Sequence, residues 1–137
     1  MLNDLRILVV DDDASLLEVV ATFLESNGHA VQTAESGEEA LDVLRDQEFD
    51  LILSDVAMAG LNGFELLRAT RELYPDIGFV LMTAYEKRYP LSEALDAGAD
   101  GYLSKPFTLR KLSLIFERAY WKALSRSDWW EAHTVGK

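Results

Sequence analysis

Hydrophobic positions along the chain alternate between two patterns. Short, nearly unbroken apolar runs are separated by longer stretches in which apolar residues recur three and four positions apart. These are the signatures of buried strands and of amphipathic helices. Five strand and helix pairs follow. The strands are predicted at Arg6–Val10, Ala30–Ala34, Leu51–Ser54, Gly78–Met82 and Gly101–Ser104. Three of them are almost wholly apolar, as a parallel strand covered by helices on both faces requires. The first helix sets Leu16, Val19, Val20, Phe23 and Leu24 on one stripe and closes at Asn27-Gly28, where a left-handed residue can end it. The second opens at Ser36 with Glu39 three residues on, a capping box, and is expected to bury Ala40, Leu41 and Leu44. The third repeats the device with Asn62 and Glu65 and stops before Tyr74-Pro75. A short fourth helix runs from about Leu91 to Ala97. The last starts at Thr108 and carries Leu112, Ile115, Phe116, Ala119 and Ala123 inward.

Such alternation predicts an α/β fold with a doubly wound, five-stranded parallel sheet, because right-handed crossovers divide the helices between its two faces. Ligands in these folds sit beyond the carboxyl ends of the strands. The residues that end each strand are therefore the place to look for chemistry.

Composition narrows the class. The chain has 137 residues, 49% hydrophobic and 27% charged, with no Cys. That suits one soluble domain able to bury a core without disulfides, and it removes thiol nucleophiles and Cys-ligated metals. Residues 1–124 are read as the domain and 125–137 as a C-terminal extension or linker. No apolar run approaches the ~20 residues of a membrane span. Nor does Met1–Arg6 have the form of a secretory leader, so a cytoplasmic location is expected. Thirteen Lys and Arg against 24 Asp and Glu give a net charge of −11, which argues against this chain gripping nucleic acid phosphates itself.

Strand one ends in Asp11, Asp12 and Asp13, strand three in Asp55, strand four in Thr83 and strand five in Lys105-Pro106. Carboxylates gathered at one sheet edge repel one another and have their pKa values raised unless a cation joins them. An all-oxygen set favours a hard ion, Mg2+ or Mn2+, which keeps waters and accepts a phosphate oxygen as well. Lys105 supplies a point charge and Thr83 a hydroxyl donor for a phosphoryl group, leaving Asp55 as the nucleophile. Each residue also has a plainer reading. Asp13 is expected to cap the first helix. Asp55 taken alone could open a turn, Thr83 alone could be a loop residue, and Lys105 alone a solvated charge. Their placement at the ends of four separate strands is what favours chemistry.

Five stretches, ILVVDDD (7–13), DLILSDVAM (50–58), LNGFE (61–65), VLMTA (80–84) and GYLSKPF (101–107), give the chain a resemblance to the receiver domain of bacterial response regulators over about Leu5 to Leu124. The resemblance implies a flavodoxin-like (βα)5 receiver fold with strand order 2-1-3-4-5. It implies that Asp55 is the phosphoacceptor, that Asp11 and Asp12 hold Mg2+ with Asp55 and the backbone carbonyl of Ala57, and that Lys105 pairs with the phosphoryl group. Thr83 would be the switching hydroxyl and Tyr102 the aromatic that turns inward on activation. The donor would be a sensor histidine kinase or a histidine phosphotransfer protein, docking near the start of the first helix at Ala14, Ser15 and Leu17, with Pro106 and Phe107 nearby. Output, to an effector domain or a homodimer, would use the α4-β5-α5 surface, so the chain is read as a signalling domain and not an enzyme.

Some features depart from the commonest pattern. Ala59 stands where proline is usual, so the loop after Asp55 is expected to be looser. Small Ala57 leaves room for water, whereas bulky Tyr85 could shield an acyl phosphate. Asn62 replaces a frequent acidic residue but caps equally well. Three alternatives compete. Asp11-Asp-Asp-Ala-Ser15 also fits the nucleophile loop of a haloacid-dehalogenase-like phosphatase, but only Glu117, Asp128 and Glu131 follow Lys105 as further acidic ligands. A flavin carrier would need a Ser/Thr/Gly-rich loop where three aspartates stand. A pseudo-receiver scaffold would lack the complete site. For residues 125–137, with Trp129 and Trp130, a helix extension, a linker and a partner contact all stay open. Arg110, Lys111, Arg118 and Lys122 on the last helix are read as paired or solvated charges.

Overall fold

Local signals build the framework. In the computed structural model, which describes residues 4–134 and side chains through residue 126, five strands alternate with five helices. They are β1 (Arg6–Val10), α1 (Ala14–Ser26), β2 (Ala30–Ala34), α2 (Gly37–Asp46), β3 (Leu51–Asp55), α3 (Gly63–Leu73), β4 (Gly78–Thr83), α4 (Leu91–Asp96), β5 (Gly101–Ser104) and α5 (Leu109–Thr134). Asp13 caps α1 as expected, accepting from the amides of Ser15 and Leu16 at 3.0 and 3.3 Å. Asn62 and Glu65 form a reciprocal capping box on α3, and Ser36 accepts from the Glu39 amide at 3.1 Å to open α2. Gly28, at φ 90°, provides the left-handed turn after α1.

All strand pairs are parallel, in the order β2-β1-β3-β4-β5. Alternation along the strands divides the core in two. Leu8, Val10, Ile52, Phe79 and Leu81 point to one face and meet Ala40, Leu44, Leu66, Leu67 and Ala94 of α2, α3 and α4. Ile7, Val9, Leu53, Val80 and Met82 point to the other and meet Leu17, Val20, Leu24, Leu112 and Phe116 of α1 and α5. Each fully buried aliphatic side chain contributes roughly 1.5–3 kcal/mol relative to exposure, so covering both faces is what makes the central strands continuous apolar runs.

The structure corrects some details. Leu17 was expected near a docking surface and Val19 in the core, but Leu17 is 5% exposed and Val19 54%. The buried stripe of α1 is Leu17, Val20 and Leu24, spaced three and four apart, and this rotates Val19 outward. Leu41 is half-buried against the core rather than inside it. β3 and β4 each run one residue further than the apolar pattern suggested, so Asp55 and Met82 form the last β3–β4 ladder pair and Thr83 pairs with Ser104. α5 continues without interruption to Thr134. The role of the Trp129 and Trp130 side chains lies outside the described residues.

Candidate functional site

The sheet edge at the carboxyl ends of the strands gathers the charged residues. β1 delivers Asp11 and Asp12, and β3 delivers Asp55. One carboxylate oxygen from each of the three lies within 4.8 Å of the others. Asp11 and Asp55 are buried and Asp12 is exposed. The Asp11 carboxylate is held on both sides. Its Oδ1 accepts from the Asp13 amide at 3.0 Å, and its Oδ2 accepts from Lys105 Nζ at 2.6 Å. Lys105 reaches the site from the end of β5, and the Lys105–Pro106 peptide is cis. Its ammonium stands 3.5 Å from Asp55 Oδ1, so the lysine is bonded primarily to Asp11 and only secondarily to the proposed acceptor.

The electrostatics follow from crowding. Burial first, then the Asp11 charge, pushes the Asp55 carboxyl up to about 6; Lys105 opposes the shift and Asp12 adds to it. One cation among three carboxylates leaves the cluster short of positive charge. A divalent ion with oxygen preference matches both the donor set and the deficit. Asp11, Asp12 and Asp55 are the side chains placed to hold it. Ala57, whose carbonyl was expected to join them, is half-buried in the loop after β3.

Thr83, the last residue of β4, is fully buried. Its Oγ1 accepts from the Tyr85 amide at 2.9 Å, which leaves the hydroxyl hydrogen available as a donor. Tyr85 itself is 58% exposed. On β5, Tyr102 is half-buried and donates its hydroxyl to the Tyr89 carbonyl at 2.6 Å, tying the strand to the segment before α4. Burial, then the Glu86 charge, raises the phenol above its ordinary range.

Two features of the loop between β3 and α3 carry no sequence signature of their own. Glu38 of α2 reaches across to accept from the Leu61 amide at 3.0 Å, pinning the loop that Ala59 was expected to loosen. Gly63 sits so close to β3 that a Cβ would fall 2.3 Å from the Asp55 carbonyl oxygen, while its amide donates to the Val56 carbonyl at 2.9 Å. α3 can begin there only because residue 63 has no side chain.

The phosphatase alternative finds little support in this geometry. Glu117 lines a small hollow with Phe23, His29 and Phe116, between α1 and α5 and away from the aspartates, and the side chains of Asp128 and Glu131 lie outside the described residues. Among the described residues, no helix is long and apolar enough to cross a membrane.

Comparison with known proteins agrees with the architecture. Residues 7–117 match the family model described as the response regulator receiver domain. The transcriptional regulatory protein ZraR of Escherichia coli is 40% identical over 117 residues, which cover 85% of this chain and 26% of that protein. The chain spans about a quarter of the length of ZraR and 47% of that of the response regulator MprA of Mycobacterium avium, which is 41% identical over 108 residues. A CheY-like receiver domain protein of Methanospirillum hungatei superposes with a TM-score of 0.81 at 30% identity, covering 90% of this chain and 99% of that one. The response regulator TrrA of Thermotoga maritima, solved with magnesium and BeF, has a TM-score of 0.75 at 33% identity, covering 83% of this chain and 97% of that one.

Proposed function

The chain belongs to the response regulator receiver domain family of two-component systems, and on that premise we propose that it works as a phosphoacceptor switch with Asp55 as the acceptor. The observation that carries this reading is the meeting of Asp11, Asp12 and Asp55 within 4.8 Å with Lys105 bonded into the same cluster. When bound, Mg2+ or Mn2+ would supply charge neutralisation for the crowded carboxylates and the incoming phosphoryl group. TrrA, solved with magnesium and BeF, supports that choice of ion.

The chain's own residues do the rest. Asp11, Asp12, Asp55 and the Ala57 carbonyl would hold the ion. An Asp55 oxygen attacks the phosphorus of a phosphohistidine on a sensor kinase or phosphotransfer protein. The P–N bond breaks and the imidazole leaves with the electron pair, to be protonated from solvent. Lys105 shifts from Asp11 toward the new phosphoryl oxygens, and the Thr83 hydroxyl donates to one of them. Movement of Thr83 draws on the β4–α4 segment that Tyr102 ties down, and this redistributes the α4-β5-α5 surface between output states. An effector domain or a second copy would read that surface. No nucleic acid contact is assigned to a chain of net charge −11, and a cytoplasmic setting fits a kinase partner.

The decisive experiment is magnesium-dependent labelling with acetyl phosphate or a phosphorylated histidine donor. Wild-type protein should take acid-stable, base-labile label, and Asp55→Asn should take none. Undiminished label on Asp55→Asn would reject the assignment, and multiple turnover on a phosphomonoester would favour the phosphatase reading.

A further inference from the structure

At the opposite end of the sheet, a second buried ionic cluster joins four elements and has no part in the chemistry above. Asp100, immediately before β5, has a side chain 1% exposed. Arg71 of α3 donates to its Oδ2 at 2.6 Å, and Arg126 of α5 donates to its Oδ1. The same Oδ2 accepts from the Phe79 amide of β4 at 3.0 Å, while the Asp100 amide donates to the Phe79 carbonyl at 2.8 Å. Arg71 also spans the Gly98 and Ile77 carbonyls, at 2.8 and 2.6 Å, and Arg126 reaches the Pro75 carbonyl at 3.3 Å. Both oxygens of the Asp100 carboxylate accept hydrogen bonds from a guanidinium, and Oδ2 accepts a backbone amide as well, as a buried charge requires.

Arg126 lies beyond residue 117, where the family match ends, and beyond Ala123, the last buried apolar residue of α5 among the described residues. A helical continuation past the packed turns has little but propensity to hold it, since most helical stability in proteins comes from tertiary packing. Yet α5 runs unbroken to Thr134. We propose that Asp100, Arg71 and Arg126 form an ionic clamp that locks the C-terminal continuation of α5 to the β4–β5 pair, so that the helix leaves the domain in one fixed direction. The folded unit thereby includes Arg126. At their far ends the two strands held at the clamp lead to Thr83, the last residue of β4, and Lys105, the residue after β5, so the exit helix shares a rigid frame with the site. This inference stands independently of phosphoryl transfer.

The test is amide hydrogen exchange on the full 137-residue chain, comparing wild type with Arg126→Met, which keeps length and loses the charged fork, and with Ser125→Ala as a neighbouring control. In Arg126→Met, amides from Trp121 through the end of α5, and that of Phe79, should exchange roughly tenfold faster or more. Amides of β1 and β3 should hold their wild-type rates, and Ser125→Ala should match wild type throughout. Unchanged exchange along α5 in Arg126→Met would overturn the clamp. So would acceleration by one common factor across β1, β3 and α5, because Arg126 would then support the domain as a whole without fixing the helix.

Discussion

Lys105 Nζ lies 2.6 Å from Asp11 and 3.5 Å from Asp55, so the ammonium neutralises Asp11 before it serves the proposed acceptor. In the proposed site, ion and lysine therefore compete for Asp11. Lys105→Met should tighten Mg2+ binding about tenfold, the equivalent of removing about 1.4 kcal/mol of repulsion from the cluster, while slowing phosphoryl uptake roughly 10²-fold. Calorimetric titration of Mg2+ reads the first effect and acetyl phosphate labelling the second. Weaker Mg2+ binding in the variant would refute the competition.

Crowding of carboxylates costs stability. Asp55 is raised from 3.8 to about 6, so in the folded protein it keeps a proton that the unfolded chain has already released between those values. Folding stability therefore declines as pH climbs through that window. Asp55→Asn should be more stable than wild type by about 1–2 kcal/mol at pH 7.5, after allowance for solvent screening, with little difference near pH 4. Urea unfolding at both pH values checks the sign, and added Mg2+ should raise the wild-type midpoint while leaving the variant nearly unmoved.

His29 works in the opposite direction. It is buried, its Nδ1 accepts from the Leu5 amide at 3.2 Å, and its ring meets the edge of Phe116 at 5.1 Å. Burial lowers its pKa below 6.5, against the charges of Asp4 and Asp50. The unfolded chain then binds a proton that the folded one refuses, so stability falls as pH drops below about 6.5. Because Asp55 titrates in an overlapping range, the measurement belongs in the Asp55→Asn background. There, His29→Gln should flatten the slope of unfolding free energy between pH 6.5 and 5.

Glu38 offers a test of loop preorganisation. Glu38→Ala removes the acceptor for the Leu61 amide without touching any group of the acidic cluster. Labelling of Asp55 should slow several-fold, on the order of 1 kcal/mol in barrier, with Mg2+ affinity falling less. Equal labelling rates would mean that the capping box at Asn62 holds the loop by itself.

Much of this molecule is written locally in its residues. Strand runs, the capping residues Asp13, Ser36 and Asn62, and the turn at Gly28 act within a few positions, so periodicity and cap chemistry find them. The site positions were legible because a parallel sheet brings strand ends to one edge. What escaped depends on distances in space. The Lys105–Asp11 bond spans 94 positions and Glu38–Leu61 spans 23, and neither has a local signature. Leu17 and Val19 are both good core residues by type, and only the rotation of α1 against the sheet decides between them. Arg126 has no local signature either, because its partner, Asp100, lies in a different element.

Gly63 shows how an unreactive position can govern a reactive one. With 2.3 Å between its absent Cβ and the Asp55 carbonyl oxygen, even alanine there must shove the third helix off the strand that bears the proposed acceptor. A screen scoring only functional groups would pass over this residue. A designer reshaping the pocket should regard that missing carbon as part of the pocket wall.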